Sequence, residues 1–593
     1  MQGIDWALIF VYFAISLIIG IAVTKKASSS SVEYFAAGKN MPWWLLGVSM
    51  VATTFSTDTP NLVTDIVRRH GVAGNWLWWA FLLTGMLTVF VYARLWKRSK
   101  VLTDIEFYEL RYSGEAAAFL RGFRSLYLGV FFNIVIMASV SLAAIKIGGV
   151  LMKLSPLQTI LIAGIVTVIY SSLGGLRGVL ITDLIQFALA MVGGIGAAVV
   201  ALKLPEVGGL KGLLSHQAVA GKLHILPDFS GGSELFAIFL IPLMVQWWSV
   251  WYPGAEPGGG GYIAQRMFAA KNENHSVGAV FLFNAAHYAL RPWPWIIVAL
   301  CSVIVFPNLN ALKDAFPHAS GVVNHDMGYP AMLTFLPAGF LGLVVASLIA
   351  AYMSTISTHL NWGASYIVND FYKRFIRPQS TEKELVLAGR ISTVGLMVLA
   401  GALALWMENA LDSFQIMLQI GAGTGLLFIL RWFWWRINPM SEISAMVISF
   451  LVALYFRFFH DSTGLPELDV WQELTIGVII TTAGWLAVTF MTKPSDQKTL
   501  LKFCRLVKPG GPGWKAVLKK AKAEKKDISE TDKAWEVPLG IKCMVLGCIA
   551  VYSTLFSVGN WIYTKYGYAV GLSVIAVVST LILVRMWKKL VKN

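Results

Sequence analysis

GVSMVATTFSTDTPNLV, residues 47–63, starts as an apolar helix and then breaks its own pattern. Between Ala52 and Pro60 the chain inserts Thr53, Thr54, Ser56, Thr57, Asp58 and Thr59 before apolar residues resume. Proline removes a backbone donor and clashes with the preceding turn, so the stretch predicts a helix interrupted in its middle. A second stretch, WWSVWYPGAEPGGGGYIAQR at 247–266, is interrupted more severely, with two prolines and five glycines. What such interruptions mean depends on the solvent around them.

Composition identifies that solvent. Of the 593 residues, 56% are hydrophobic and 13% are charged, whereas a soluble domain carries about 25% charged residues. A bilayer-crossing helix needs roughly 20 mostly apolar residues, and the chain supplies about fifteen such runs. They begin with WALIFVYFAISLIIGIAV and end with VGLSVIAVVSTLILV. The chain reads as an all-α polytopic membrane protein. The first run starts at Asp5 and Trp6 without a basic leader or cleavage site, so it is expected to be retained as a span. The four cysteines show no metal spacing and predict neither a cluster nor a disulfide framework.

The net charge of +16 does not indicate nucleic acid. Lys and Arg gather in alternate loops, as topology requires of a membrane protein. Three such loops fall on one side when the N-terminus is outside and the C-terminus cytoplasmic. The richest occupies residues 492–536; it suits anionic lipid, a regulator or simple topological anchoring. Arg68 and Arg69 are the exception, near the outer side.

The two interrupted spans open two blocks of five spans, and the blocks run in opposite senses through the membrane. Paired broken helices at matching places of inverted halves mark the midplane binding site of a transporter. The expected organisation is an extra N-terminal helix (1–30), a first inverted repeat (41–203), a second (233–436), additional helices (437–491), the basic cytoplasmic loop (492–536) and C-terminal helices (537–593).

Four segments carry a resemblance: VEYFAAGKNMPWWLLGVSMVAT, IYSSLGGLRGVLITDLIQ, GYIAQRMFAAK and SLIAAYMSTISTHLNWGASYIVNDFYK. In this order and spacing, from about residue 5 to 460, the chain resembles the sodium:solute symporters. The resemblance implies the leucine-transporter fold, with one N-terminal and about four C-terminal helices added to the inverted five-helix repeats. It also implies sodium as the coupled ion. Sodium prefers oxygen ligands, and hydroxyls and carbonyls supply them without fixed charge. Carried over residue by residue, the sodium site comprises the carbonyls of Ala52, Phe55 and Ala351 and the hydroxyls of Ser354 and Thr355. Some members hold a second sodium, for which the matching residues are Asp183, Ser357 and Thr358. Alternatively, Asp183 caps a helix end or pairs with Arg177.

Substrate recognition is expected among spans 2, 3, 7, 8 and 11. Candidates are Thr54, Ser56, Asp58, Thr59, Trp76, Gln246, Glu256, Asn284, His287, Arg291, Gln415 and Gln419, with Trp79, Trp248, Trp251 and Tyr252 as further aromatic faces. Polar groups beside flat apolar faces suit a sugar or sugar derivative. The segment PGAEPGGGG departs from sugar-transporting relatives, however. Arg291, on the order of 24 Å into its span, either pairs with Glu256 or meets a substrate carboxylate, as in an organic acid, an amino acid or sialic acid.

The expected function is sodium-coupled symport of a small polar organic solute by alternating access in the cell membrane. The expected partners are the solute, sodium and the lipid bilayer, with neither nucleic acid nor an obligatory protein. HExxH, GxSxG and Walker patterns are absent from the sequence, which disfavours an enzyme or a nucleotide-driven pump. A sodium-dependent sensor or channel-like protein is the remote alternative.

Overall fold

A computed structural model describes residues 1–27, 29–54, 56–249, 256–317, 323–407, 417–418, 420–421, 423–524, 526 and 535–592. Among them no strand forms, and Met41 and Ala270 make an isolated bridge. Eleven helices are long and apolar enough to cross a membrane. Three shorter apolar helices, Trp43–Thr54, Pro156–Ile169 and Ser233–Met244, account for expected spans that are interrupted or kinked. Another expected span, 411–436, lies outside the described residues at 411–416, 419 and 422, and its described part holds a short helix, Gly425–Leu430.

The interrupted stretch at 47–63 forms two helices, α2 (Trp43–Thr54) and α3 (Asp58–His70), after the first span α1 (Gly3–Lys25). α4 (Val72–Ser99) and α5 (Glu115–Met152) follow. α6 (Pro156–Leu202) is one hydrogen-bonded run bent at Gly175, whose φ is +52°. A Cβ at Gly175 would lie 2.8 Å from the carbonyl oxygen of Tyr34, so both the bend and the close approach require glycine.

The second half repeats the pattern. α7 (Ser233–Met244) leads into the second interruption, and α8 (Gly261–Ala269) resumes it. α9 (Glu273–Val305), α10 (Phe340–Ile376), α11 (Glu382–Ala404) and the short α12 (Gly425–Leu430) complete this half. α13 (Pro439–Ser462), α14 (Val470–Met491), α15 (Gln497–Val507), α16 (Lys515–Ala523), α17 (Val537–Ile562) and α18 (Tyr566–Leu590) follow.

Burial separates centre from perimeter. The most apolar stretches of α4, α5 and α10 are each 78% buried, whereas those of α1 and α18 are 22% and 17% buried. In α1 and α18 one stripe, including Ile9 and Tyr12 in α1 and Ala569, Ala576 and Leu583 in α18, is buried, and the other apolar side chains face outward, as lipid contact demands. α10 packs against α6 and α1, and α2 against α9 and α6. α1 is fastened to α10 at one end: Asp5 Oδ1 accepts the backbone N–H of Gly339 and Gly342, at 2.7 and 2.8 Å. A carboxylate there faces the positive end of the α10 dipole.

The basic 492–536 segment is folded onto the bundle over much of its length. Phe503 and Trp514 stack, and the Trp514 indole donates to the carbonyl of Trp432 at 3.0 Å. The Arg68 side chain is buried and donates to the carbonyls of Ser302 and Phe306 (2.7 and 2.8 Å), while Arg69 pairs with Asp65 at 2.6 Å. These contacts give the outlying arginine pair a structural use. The four cysteines are free and buried.

Candidate functional site

Where α2 ends, its last carbonyls have no following turn to bond. Three side chains reach them. Thr355 Oγ1 of α10 donates to the carbonyl of Thr53 at 2.7 Å. Arg291 of α9 donates to the carbonyls of Val51 (3.1 Å) and Thr54 (3.2 Å). Thr59 Oγ1 also meets the Thr54 carbonyl, at 3.4 Å. Arg291 thus serves as a cationic cap on the negative end of a half-helix. It also bonds His287, and its guanidinium lies over Trp295.

The hydroxyls of α10 meet this break. Ser354 Oγ donates to Asp183 Oδ1 at 2.7 Å, and Ser49 donates to the other carboxylate oxygen. Ala52, Ala351, Ser354 and Thr355 are all fully or nearly fully buried; Phe55 lies outside the described residues. The residues expected for a second ion meet a side chain that the sequence reading overlooked. Arg266, on α8, donates to Thr358 Oγ1 at 2.8 Å and to Ser49 Oγ at 3.1 Å. It stands 3.8 Å from Asp183, and neither side chain is exposed. Thr53 and Thr358 hydroxyls share a bond of 3.1 Å, while Ser357 donates to the Ser354 carbonyl at 3.2 Å. Arg177, offered as an alternative partner for Asp183, instead pairs with Glu33 at 3.4 Å.

Beside the break lies a cavity. Thr54, Ser56, Asp58, Thr59 and His287 line it, as do Asn61, Asp65, Trp78, Lys146 and Asp326. It runs from the end of α2 toward Lys146 and Asp326, which pair at 2.7 Å. Its far wall is mostly apolar, built by Ile136, Val140, Leu142 and Ala143 of α5 with Ser139 among them. Asn61, Asp65, Trp78, Lys146 and Asp326 were not among the sequence candidates. A signal existed for two of them: Asp58, Asn61 and Asp65 fall at i, i+3 and i+7, one face of α3.

Other candidates are placed elsewhere. The Trp76 indole donates to the Ile225 carbonyl and packs against Trp79 and Phe556, a structural role. Gln246 donates to the Leu77 carbonyl at 2.8 Å. Asn284 packs onto Gly85 and donates to the Val280 carbonyl. Trp248 packs against Trp247. Gln415, Gln419, Trp251 and Tyr252 lie outside the described residues.

The expected pairing of Glu256 with Arg291 does not form. Glu256 is buried between two other arginines, in contact with Arg124 and 3.1 Å from Arg431. Arg431 also approaches Glu442 at 3.5 Å, and Tyr112 donates to Glu442 at 2.6 Å. This cluster ties α5, α12, α13 and the residues before α8 together, away from the Lys146 end of the cavity. Arg124 and Arg431 lie 307 positions apart in the sequence, with no local spacing to relate them. Positive φ at Gly258 (+96°) and Gly259 (+76°) lets the chain leave Glu256 and turn into α8.

Comparison with known proteins gives this arrangement a context. The model of the sodium:solute symporter family matches residues 34–449. A sodium/glucose cotransporter of Vibrio parahaemolyticus is 27% identical over 499 residues, 81% of this chain and 90% of that protein. Sodium/myo-inositol cotransporter 2 of Oryctolagus cuniculus is 26% identical over 485 residues, 76% of this chain and 69% of that protein. Among solved structures, a substrate-bound, outward-open sodium-coupled sialic acid symporter superposes with a TM-score of 0.66 at 20% identity, over 84% of this chain and 99% of that one. The architecture is the leucine-transporter fold. The chain belongs to the sodium:solute symporter family: it is a multi-pass secondary transporter, not an enzyme.

Proposed function

We propose that this member of the sodium:solute symporter family couples sodium entry to uptake of a small polar organic solute, a sugar or sugar derivative. The observation that carries the reading is the Thr355 hydroxyl seated on the broken end of α2. There an ion can draw oxygen from two helices at once. The ligands we assign are the carbonyls of Ala52, Phe55 and Ala351 and the hydroxyls of Ser354 and Thr355. Asp183 and Thr358 are engaged by Arg266, which favours this first set as the seat of the coupling ion.

Sodium there joins α2 to α10. The ion therefore stabilises the state in which those helices touch and the Glu256 cluster is closed. Solute entering from the Lys146 end completes the cavity. Opening at the Glu256 end separates α2 from α10 and weakens the ion site, so sodium leaves with the solute. Coupling requires only that both ligands favour the same state. The orientation that fits is N-terminus outside and C-terminus cytoplasmic, in the cell membrane.

The sugar relatives support the solute class, as does a cavity with one polar edge and one apolar wall. An organic acid anchored on Arg291 finds less support, because that guanidinium is directed at backbone carbonyls. The test is reconstitution into potassium-loaded vesicles under an inward sodium gradient. Hexoses and cyclitols are expected to stimulate sodium uptake in the wild type. Solute-stimulated sodium uptake absent across hexoses, cyclitols, amino acids and sugar acids would overturn the reading.

A further inference from the structure

The cavity beside the break contains polar groups of two kinds, those already engaged and those left over. Thr54 Oγ1 bonds the Met50 carbonyl (2.8 Å) and the Tyr262 hydroxyl (2.7 Å). Thr59 Oγ1 is held by the backbone of the break, at 3.3 Å from Ser56 N and 3.4 Å from the Thr54 carbonyl oxygen. His287 bonds Arg291. Asp65 is neutralised by Arg69, and Lys146 and Asp326 neutralise each other.

The left-over atoms are both the Oδ1 and Nδ2 of Asn61, without a hydrogen-bond partner, and Ser56 Oγ, which faces the Asp58 carboxylate alone. Ser56 is 5% exposed and Asn61 2% exposed. Burying such groups unpaired costs about 1–3 kcal/mol each, so in a working site they await a ligand. Between them in sequence stands Asp58, half-buried in the cavity wall and one turn before Asn61.

We propose that Ser56, Asp58 and Asn61 form the selectivity site of the cavity, and that it takes an electrically neutral polyhydroxylated ring while excluding organic anions. This rests on the symport reading above. Four features decide the chemistry. The Asn61 amide lacks partners for both its donor and its acceptor, and a hydroxyl serves both; an ammonium group would satisfy the acceptor alone. Asp58 accepts two neighbouring hydroxyls but repels a carboxylate in a site of low dielectric. Among the described lining residues Lys146 is the cation, and Asp326 already holds it. The apolar α5 wall and Trp78 suit the C–H face of a ring.

The test is thermal stabilisation of the purified full chain in sodium and in potassium. The panel is glucose, galactose, mannose and myo-inositol, with glucuronate, galacturonate and glucosamine. We expect at least one neutral ring to stabilise in sodium and its uronate not to. Asp58→Asn and Asn61→Ala should each weaken that ring about tenfold or more, the loss of one good hydrogen bond. Stabilisation by sodium alone should survive in both variants, which also reports that they fold. If one variant does not fold, the other reads the same prediction. The proposal is overturned by a uronate or glucosamine binding as tightly as the neutral ring, by variants that bind like wild type, or by no neutral ring binding while sodium alone stabilises. Sodium failing to stabilise over potassium would instead overturn the symport reading beneath it.

Discussion

Thr355 and Thr53 meet across the interface between α10 and α2, hydroxyl to carbonyl, at 2.7 Å. This bond joins the unbroken helix of the second half to the broken helix of the first. In the proposed cycle it is a contact that must form and release at every turnover.

Thr355→Ala should raise the sodium concentration for half-maximal uptake by about tenfold, if one ion ligand is worth one good hydrogen bond. Thr355→Ser should restore most of the affinity. Sodium titration of uptake measures both. Unaltered sodium dependence in the alanine variant removes Thr355 from the ion site.

Asp183 and Arg266 form a buried pair, so removing either strands the other charge. Asp183→Asn alone should cost about 3–5 kcal/mol of stability, the usual penalty for an orphaned buried charge. The double variant Asp183→Asn/Arg266→Gln should recover part of it. Denaturation of all three proteins in one detergent checks this. Additive losses would mean the two charges do not interact.

Glu256 should be coupled to Arg124 and Arg431 and uncoupled from Arg291. A double-mutant cycle on transport for Glu256→Gln with Arg124→Gln should show an interaction well above about 0.5 kcal/mol, and the cycle with Arg291→Gln should be additive within that margin. Coupling to Arg291 instead would contradict the arrangement described above. Glu256→Gln should also loosen the closed end, increasing labelling of cysteines introduced there.

Arg291→Gln should impair transport of every accepted solute to a similar degree, because it uncaps the carbonyls of Val51 and Thr54 rather than contacting solute. A competition series with neutral and acidic sugars reads this out. Selective loss of acidic solutes would return Arg291 to the substrate.

Much of this was legible in the sequence, for physical reasons that differ by residue. The break between α2 and α3 announced itself through Pro60 and a run of hydroxyls, and the hydroxyl pair on α10 stood out against apolar neighbours. The face Asp58–Asn61–Asp65 was equally visible as helical spacing, but Asp58 belongs to the polar run before Pro60, whereas Asn61 and Asp65 stand beyond it among apolar residues. Trp76 and Trp78 could not be separated: two residues apart on one helix they face different ways, and only packing shows Trp78 in the cavity and Trp76 against Phe239 and Tyr552. The partners of Glu256 were illegible, since Arg124 and Arg431 become neighbours only once both halves have folded. Arg266 was read as part of a motif rather than as a charge requiring a counter-charge.

The clasp of Asp5 on the first turn of α10 has a mechanical consequence. A Cβ at Gly342 would lie 2.3 Å from the Asp5 Cα, so the two backbones touch with no side chain between them. α10 therefore cannot tilt at that end without dragging α1, and α1 is immersed along most of its length in acyl chains. The ion-binding helix thus carries a paddle in the lipid. Its rocking rate should follow the viscosity and thickness of the host bilayer, slowing in stiff membranes even where sodium and solute are saturating.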